Sequence, residues 1–346
     1  MMEELKGIEE LKKLLGTKGI SGYEGPIRNT IKEMVSELGE TREDNIGNLI
    51  LEKPGDGPHI AVVAHMDEIG LVVSNIEDNG YLRIMKIGGV KDSLLEGRPV
   101  TIHTEAGPVN GIIGHKAPHL KTSSDEEEKI TPWTKTRVDI GASSKEEARK
   151  MGVDVPNPIT FNSTFRRMGD KRFSSGSLDN RIGCYTLIRV ARQLMTQDTN
   201  KRYSFVWSVQ EEIGLRGAKV VANTLNPDYV IALDTYTTTD SPGIESFYKP
   251  IKLGSGPVIR MVDTRAISSP KMVEHFKNVA ERNGIPYQYG VTGGTTDGMA
   301  LQEGGGMMAA LGVPVRYSHS TVECGHWGDV NNLYNLVAKG VSELPL

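Results

Sequence analysis

The feature that most constrains this chain of 346 residues is an alternation of strands and helices that is broken once and then resumed. The stretch 59–64 (HIAVVA) is apolar and β-branched without polar alternation, the signature of a strand covered on both faces. Ahead of it Leu5, Ile8, Leu11 and Leu15 recur at helical spacing, and Ile27, Ile31, Met34, Val35 and Leu38 do so again, predicting two helices packed on a sheet. The alternation returns after residue 161: helix 178–195, strand 203–209, helix 216–224, strands 228–233 and 258–262, helix 270–283, strands 287–291 and 307–312, helix 330–344. Strands separated by helices imply an α/β fold with a mostly parallel central sheet flanked by helices. Between the two parts, strands at 71–76, 81–87, 99–103 and 109–113 follow one another with turn signals such as Asp78-Asn79-Gly80. The expected organisation is therefore an α/β domain of residues 1–69 and 161–346, interrupted by a small β-rich domain of residues 70–160. In that insert the charge-rich stretch 123–129 (SSDEEEK) reads as a solvated loop.

Charge and composition remove several classes of function. Forty Lys and Arg against forty-four Asp and Glu give a formal charge of −4, so no general field draws phosphates or an anionic membrane, and neither nucleic acid nor membrane is an expected partner. The opening run MMEELKGIEELKKLLG lacks the apolar core and cleavage site of a secretory signal, and no segment approaches ~20 apolar residues, so a cytoplasmic location is expected. Cys184 and Cys324 lack the paired spacing of a zinc ribbon or redox motif and read as small buried hydrophobes.

The chemistry-bearing residues gather at strand ends. His65 and Asp67 follow the apolar strand two positions apart, so both point to one side: the imidazole can bind a metal while the carboxylate orients it or a general base. Glu211 and Glu212 follow strand 203–209, where open α/β sheets gather their ligands; one can ligate and the other act as base. Asp234 ends the run VIAL and needs a partner there, Asp179 opens a helix in GSLDNRIG, and His319 follows an apolar stretch in RYSHS. Singly, each has an ordinary reading: a short accidental motif, solvated glutamates, a helix N-cap, a satisfied histidine. Together they supply two histidines and three carboxylates for metal, with a further carboxylate left over as base. Two divalent ions bring four positive charges against three on Asp179, Glu212 and Asp234. The remaining positive field lowers the pKa of a bridging water toward neutrality and suits a hydrolase.

The ordered set AHMDE (64–68), SLDNRIG (177–183), VQEEIGLRGA (209–218), ALD (232–234), GGTTDG (293–298) and RYSHS (316–320) resembles the M42 family of metallo-aminopeptidases over nearly the whole chain. Its best-known members are tetrahedral, self-compartmentalising enzymes of archaea. The resemblance implies that Asp179 bridges two divalent ions, that His65 and Asp234 complete one site and Glu212 and His319 the other, and that Glu211 is the general base with Asp67 behind it. It further implies a cis peptide between Asp179 and Asn180, although some members carry Asp where this chain has Asn180. The ions implied are zinc first and cobalt second, and manganese suits the same ligands. The substrates implied are peptides with free N-termini, and the assembly a homo-oligomer in which the β-rich domains form dimers that build a dodecamer. In the family the region of His115 and His119 faces the site, so His119 is a candidate substrate contact, and Asp297 is a candidate for shaping the site. Two rival readings are a glucanase-like glycoside hydrolase, since some M42 relatives have been described as glucanases, and a metal-braced scaffold. A glycosidase would use Glu211 and Glu212 without metal and would want aromatic stacking surface, which three Trp hardly provide. A structural metal would be closed by four ligands with no spare base.

Overall fold

The computed structural model describes residues 2–120, 130–244, 250–291 and 293–345; the charge-rich stretch 123–129 lies outside them. An eight-stranded sheet forms the centre, in the order Thr41–Glu43, Leu49–Lys53, Arg202–Ser208, His59–His65, Tyr229–Thr237, Met307–Val315, Val258–Val262, Gln288–Val291. The strands from Arg202–Ser208 to Met307–Val315 run parallel. Antiparallel pairings flank this parallel middle on both sides, so the sheet is mixed. The first antiparallel pair arises because a short turn, not a crossover helix, joins Thr41–Glu43 to Leu49–Lys53.

The uninterrupted apolar strand behaves as its composition predicts. Ile60, Val62 and Ala64 enter the larger core, beneath the helices Met2–Gly16, Gly25–Met34, Leu178–Met195, Pro270–Arg282 and Trp327–Ser342. Ala61 and Val63 point the other way, into a second core under Arg216–Leu225 and Gly298–Gln302. Both cysteines are buried and unpaired.

Leaving His65, the chain passes through four residues into a closed six-stranded barrel made of Gly70–Ile76, Leu82–Ile87, Val138–Asp139, Gly107–Ile113, Pro99–Thr104 and Pro158–Phe161. The barrel has its own core, in which Leu71, Val73, Leu82, Ile84, Val100, Ile102 and Ile159 face inward. Closure depends on two short strands, Val138–Asp139 and Pro158–Phe161, too brief to announce themselves by alternation. Two central strands also run further than their apolar stretches suggest. Tyr229–Thr237 and Met307–Val315 pair along their whole lengths, which places Asp234 opposite Gly312 inside the strand and not at its end. A further small sheet, Arg166–Met168, Arg172–Ser175 and Glu323–His326, joins the exit from the barrel to the C-terminal helix.

Candidate active site

The seven residues expected to carry chemistry converge at the C-terminal ends of the parallel strands, next to the mouth of the barrel. His65, the last residue of its strand, is buried. Its Nε2 lies 3.4 Å from Asp179 Oδ1, 3.6 Å from Asp234 Oδ1 and 4.0 Å from Glu211 Oε2. Across the cluster, His319 Nε2 is 3.7 Å from Asp179 Oδ2 and 3.4 Å from Glu212 Oε2. Asp179 thus turns one oxygen to each imidazole. Two groups of three potential ligands result, His65, Asp179 and Asp234, and Asp179, Glu212 and His319, each set of ligand atoms lying within 4.8 Å.

These separations test whether a metal suits the site. A charge-assisted hydrogen bond between imidazole and carboxylate is shorter, about 2.7–2.9 Å. Two ligand atoms about 2.1 Å from a tetrahedral ion stand roughly 3.4 Å apart. The four imidazole–carboxylate distances to Asp179, Asp234 and Glu212 run from 3.4 to 3.7 Å, so the donor set fits ions between its members.

Asp179 does not cap its helix. Ser177 occupies the N-cap, and Asp179 (φ −77°, ψ 106°) departs from helical geometry, which frees its carboxylate for the cluster. The Asp179–Asn180 peptide is cis. Asn180 turns inward, donating to Leu233 O (2.8 Å) and accepting from Gly183 N (2.9 Å), and so takes no place among the acids. Asp67, fully buried, stands behind the site. Its carboxylate lies 3.5 Å from His65 Nδ1 and accepts from Ser21 Oγ (2.6 Å) and from the backbone N–H groups of Glu211 (3.0 Å) and Glu212 (3.2 Å). One side chain therefore orients the histidine and both glutamates.

The groups act strongly on one another. Burial pushes Glu211 well above the usual carboxylate range, helped by the charges of Asp234, Asp297 and Glu212 and opposed by His65. Glu212 is also raised, chiefly by burial. Burial alone would lower His65, but the charge of Glu211 and its contacts with Asp179, Asp234 and Asp67 hold it well above the ordinary imidazole value. Contact with Glu212 carries His319 up to about 10. Burial would raise Asp179 too, yet the two imidazoles hold it far below its usual range.

Glu323, Gly88 and Gly89 are contributors that carry no signal in the sequence. Glu323 is buried and accepts from the backbone N–H groups of both Asp179 and His319. Gly88 and Gly89, just past the barrel strand Leu82–Ile87, press against Glu212 and His319 so closely that a Cβ on Gly89 would stand 2.5 Å from His319 Nδ1. Asp297, expected to shape the site, is buried in the turn before Gly298–Gln302; it accepts from the Ser208 hydroxyl, and burial pushes it up to about 7. His119 sits exposed on the turn Pro118–Leu120 and lines neither cavity next to the cluster. Of those cavities, a narrow one runs toward Ile69, Val90, Leu94 and Phe161. The other is a cleft of about 650 Å³ reaching Lys91, Thr235, Arg265 and Gly293.

A parallel-centred α/β sheet with a carboxylate–imidazole cluster at its strand ends defines a metal-dependent hydrolase architecture. The sequence profile of the family described as M42 glutamyl aminopeptidase matches residues 47–336, and the chain belongs to that family. Lysyl aminopeptidase of Pyrococcus furiosus is 36% identical over 342 residues, covering 97% of each chain. The solved structure of the Pyrococcus horikoshii TET1 peptidase, described as assembling into a tetrahedron or a large octahedral shell, superposes with a TM-score of 0.91. It is 41% identical and covers 98% of this chain and 100% of its own. A Thermotoga maritima structure described as an endoglucanase is more distant, with TM-score 0.76, 29% identity and 96% of both chains covered. Among the described residues no helix is long and apolar enough to cross a membrane.

Proposed function

We propose that this chain is a two-metal aminopeptidase that releases N-terminal residues from peptides. The observation that carries the reading is the splayed bridge of Asp179, whose two oxygens face two different histidines at ligand-sharing distances. His65 and Asp234 would hold one divalent ion and Glu212 and His319 the other, with Asp179 common to both. When bound, the ions supply Lewis acidity and lower the pKa of water to near neutrality.

The remaining work falls to the chain. Glu211 stands beside both groups of three without belonging to either, and its environment favours holding a proton. It takes a proton from the attacking water and delivers it to the nitrogen of the leaving amine. Asp67 keeps Glu211 aimed by gripping its backbone N–H. Asp234, 3.8 Å from the guanidinium of the buried Arg260, is held against the strand wall. Zinc is the first candidate metal and cobalt the second, since imidazole and carboxylate ligands accept both.

For assembly, the reading is a homo-oligomer in which barrels pair into dimers and dimers into a dodecamer. The homo-oligomer is supported by the tetrahedral or octahedral assemblies described for the P. horikoshii relative. Peptides are the expected partners, and a cytoplasmic location follows the same reading. Sedimentation that found only monomer would sink the assembly.

The glycosidase reading is disfavoured by the two histidines at the centre of the acids, which such catalysis does not need. A closed structural site is disfavoured by the spare glutamate. The deciding experiment is hydrolysis of aminoacyl chromogenic substrates by chelator-stripped protein, before and after zinc or cobalt, with an N-acetylated control. Turnover that requires metal and a free amine supports the proposal; metal-independent turnover, or none, overturns it.

A further inference from the structure

The bridging aspartate and the distal histidine lie far apart in sequence, and neither has regular backbone around it. Ser177, two positions before Asp179, is in the left-handed region at φ 62°, and His319 is itself left-handed at φ 61°. Non-glycine residues adopt this conformation only where the surroundings hold them to it. Something must fix both loops to one another if one oxygen of Asp179 and one nitrogen of His319 are to face the same point.

Glu323 does this by geometry. It opens the strand Glu323–His326, pairs with Ser175 on the strand leading to Asp179, and is only 2% exposed. Its Oε2 accepts from Asp179 N at 3.1 Å and its Oε1 from His319 N at 2.8 Å. The side chain thus spans the two ligand-bearing loops, one oxygen to each. Its position follows only four residues after His319, so the second bond closes the loop on itself while the first ties it to the helix bearing Asp179. The carboxylate is buried, and among the described residues its hydrogen bonds come from these two backbone N–H groups, one from each ligand-bearing loop.

We propose that Glu323 is the positioning residue of the second metal site, fixing Asp179 and His319 to one another through their backbones. It acts through the backbone N–H groups of Asp179 and His319 and belongs to neither group of potential ligands. The inference rests on the two-metal reading of the site, and the test separates the two. In Glu323→Gln, whichever way the amide is turned, one of the two N–H groups faces another donor and loses its acceptor. Zinc binding is measured by competition with a chromophoric chelator on the full-length protein, its fold checked by circular dichroism and thermal melting. The parent and His319→Ala serve as references.

The expected result is two ions on the parent, one on His319→Ala, and two on Glu323→Gln with the second weakened by about 10- to 100-fold and the first changed much less. If His319→Ala loses one ion and Glu323→Gln binds both as tightly as the parent, the positioning role is overturned while the two-metal site stands. A lower melting temperature with unchanged ion affinities has the same meaning, since a purely structural carboxylate would give that result. A parent that binds fewer than two ions overturns both readings. Should Glu323→Gln fail to fold, Glu323→Asp keeps the charge, shortens the reach by one methylene and is judged by the same ion affinities.

Discussion

Adding one methyl group just past the barrel strand Leu82–Ile87 should disable the site at the ends of the central strands. Gly89 carries no positive φ, so Gly89→Ala meets no backbone penalty and acts only through space. Its Cβ would stand 2.5 Å from His319 Nδ1 and 2.8 Å from Cε1, where ordinary contact begins at 3.4 Å, so the ring must retreat by 3.4 − 2.5 = 0.9 Å. His319 is a partly exposed side chain and can swing away, so global stability should change little. The site cannot tolerate the move, because Nε2 leaves its position opposite Asp179 and Glu212. A displacement near 1 Å within an active site costs about 10²-fold in rate. The assay is kcat/KM on an aminoacyl chromogenic substrate at saturating zinc, with zinc stoichiometry and melting temperature measured on the same sample. Gly114→Ala is the control, because its Cβ meets nothing within 4 Å among the described residues. A Gly89→Ala protein as active as the parent, with both ions bound, would refute the argument that the barrel closes tightly on His319.

Glu211→Gln should keep the fold and lower kcat by about 10²–10⁴-fold at saturating metal, the contribution of a positioned general base; undiminished turnover would remove Glu211 from the mechanism. Arg181 is fully buried and donates to the carbonyls of Leu14 and Thr17 and to Glu68, so Arg181→Met should destabilise by about 1–3 kcal/mol by leaving those buried acceptors short of a donor, although Glu68 keeps Ser177 and the Gly19 N–H; urea unfolding reads it. Zinc uptake by chelator-stripped protein should release protons at neutral pH and weaken as pH falls. The reason is that His65 and His319, held well above their ordinary values, must be deprotonated to ligate; calorimetry in buffers of different ionisation enthalpy checks the proton count. Asp240, held down to about 2 by Arg316, binds more protons in the unfolded chain than in the folded one between its ordinary 3.8 and that value. Its stabilising contribution is complete above that interval and is lost as pH falls through it; acid melting of Asp240→Asn should lack this step.

The sequence by itself determined the parts whose information is local. An apolar strand without alternation specified burial on both faces, because period-two packing sends Ile60, Val62 and Ala64 into one core and Ala61 and Val63 into the other. The break in the strand–helix alternation marked where a second architecture starts, and the reactive side chains stood at or near strand ends because parallel sheets gather them there. The resemblance of SLDNRIG implied a bridging Asp179, but local pattern did not show it, since an aspartate at a helix start looks the same whether it caps or ligates. Only the departure of its backbone from helical geometry separates the two. Nor could local pattern reveal that Asp234 lies inside its strand, because strand length there is set by pairing with Met307–Val315.

The sequence placed Asp67 behind the cluster, but only the tertiary structure decided which backbone groups it and the other supporting residues hold. Asp67 grips the backbone of Glu211 and Glu212, more than a hundred positions away, and Glu323 grips that of Asp179. Gly89 meets His319 across the boundary between barrel and sheet. These contacts join a side chain to another segment's backbone, or join bare backbone to a ring, so they impose no periodicity on the sequence. The physical reason is range: helix and strand patterns are written over a few neighbouring residues, whereas the positions of metal ligands depend on how distant segments are folded against one another.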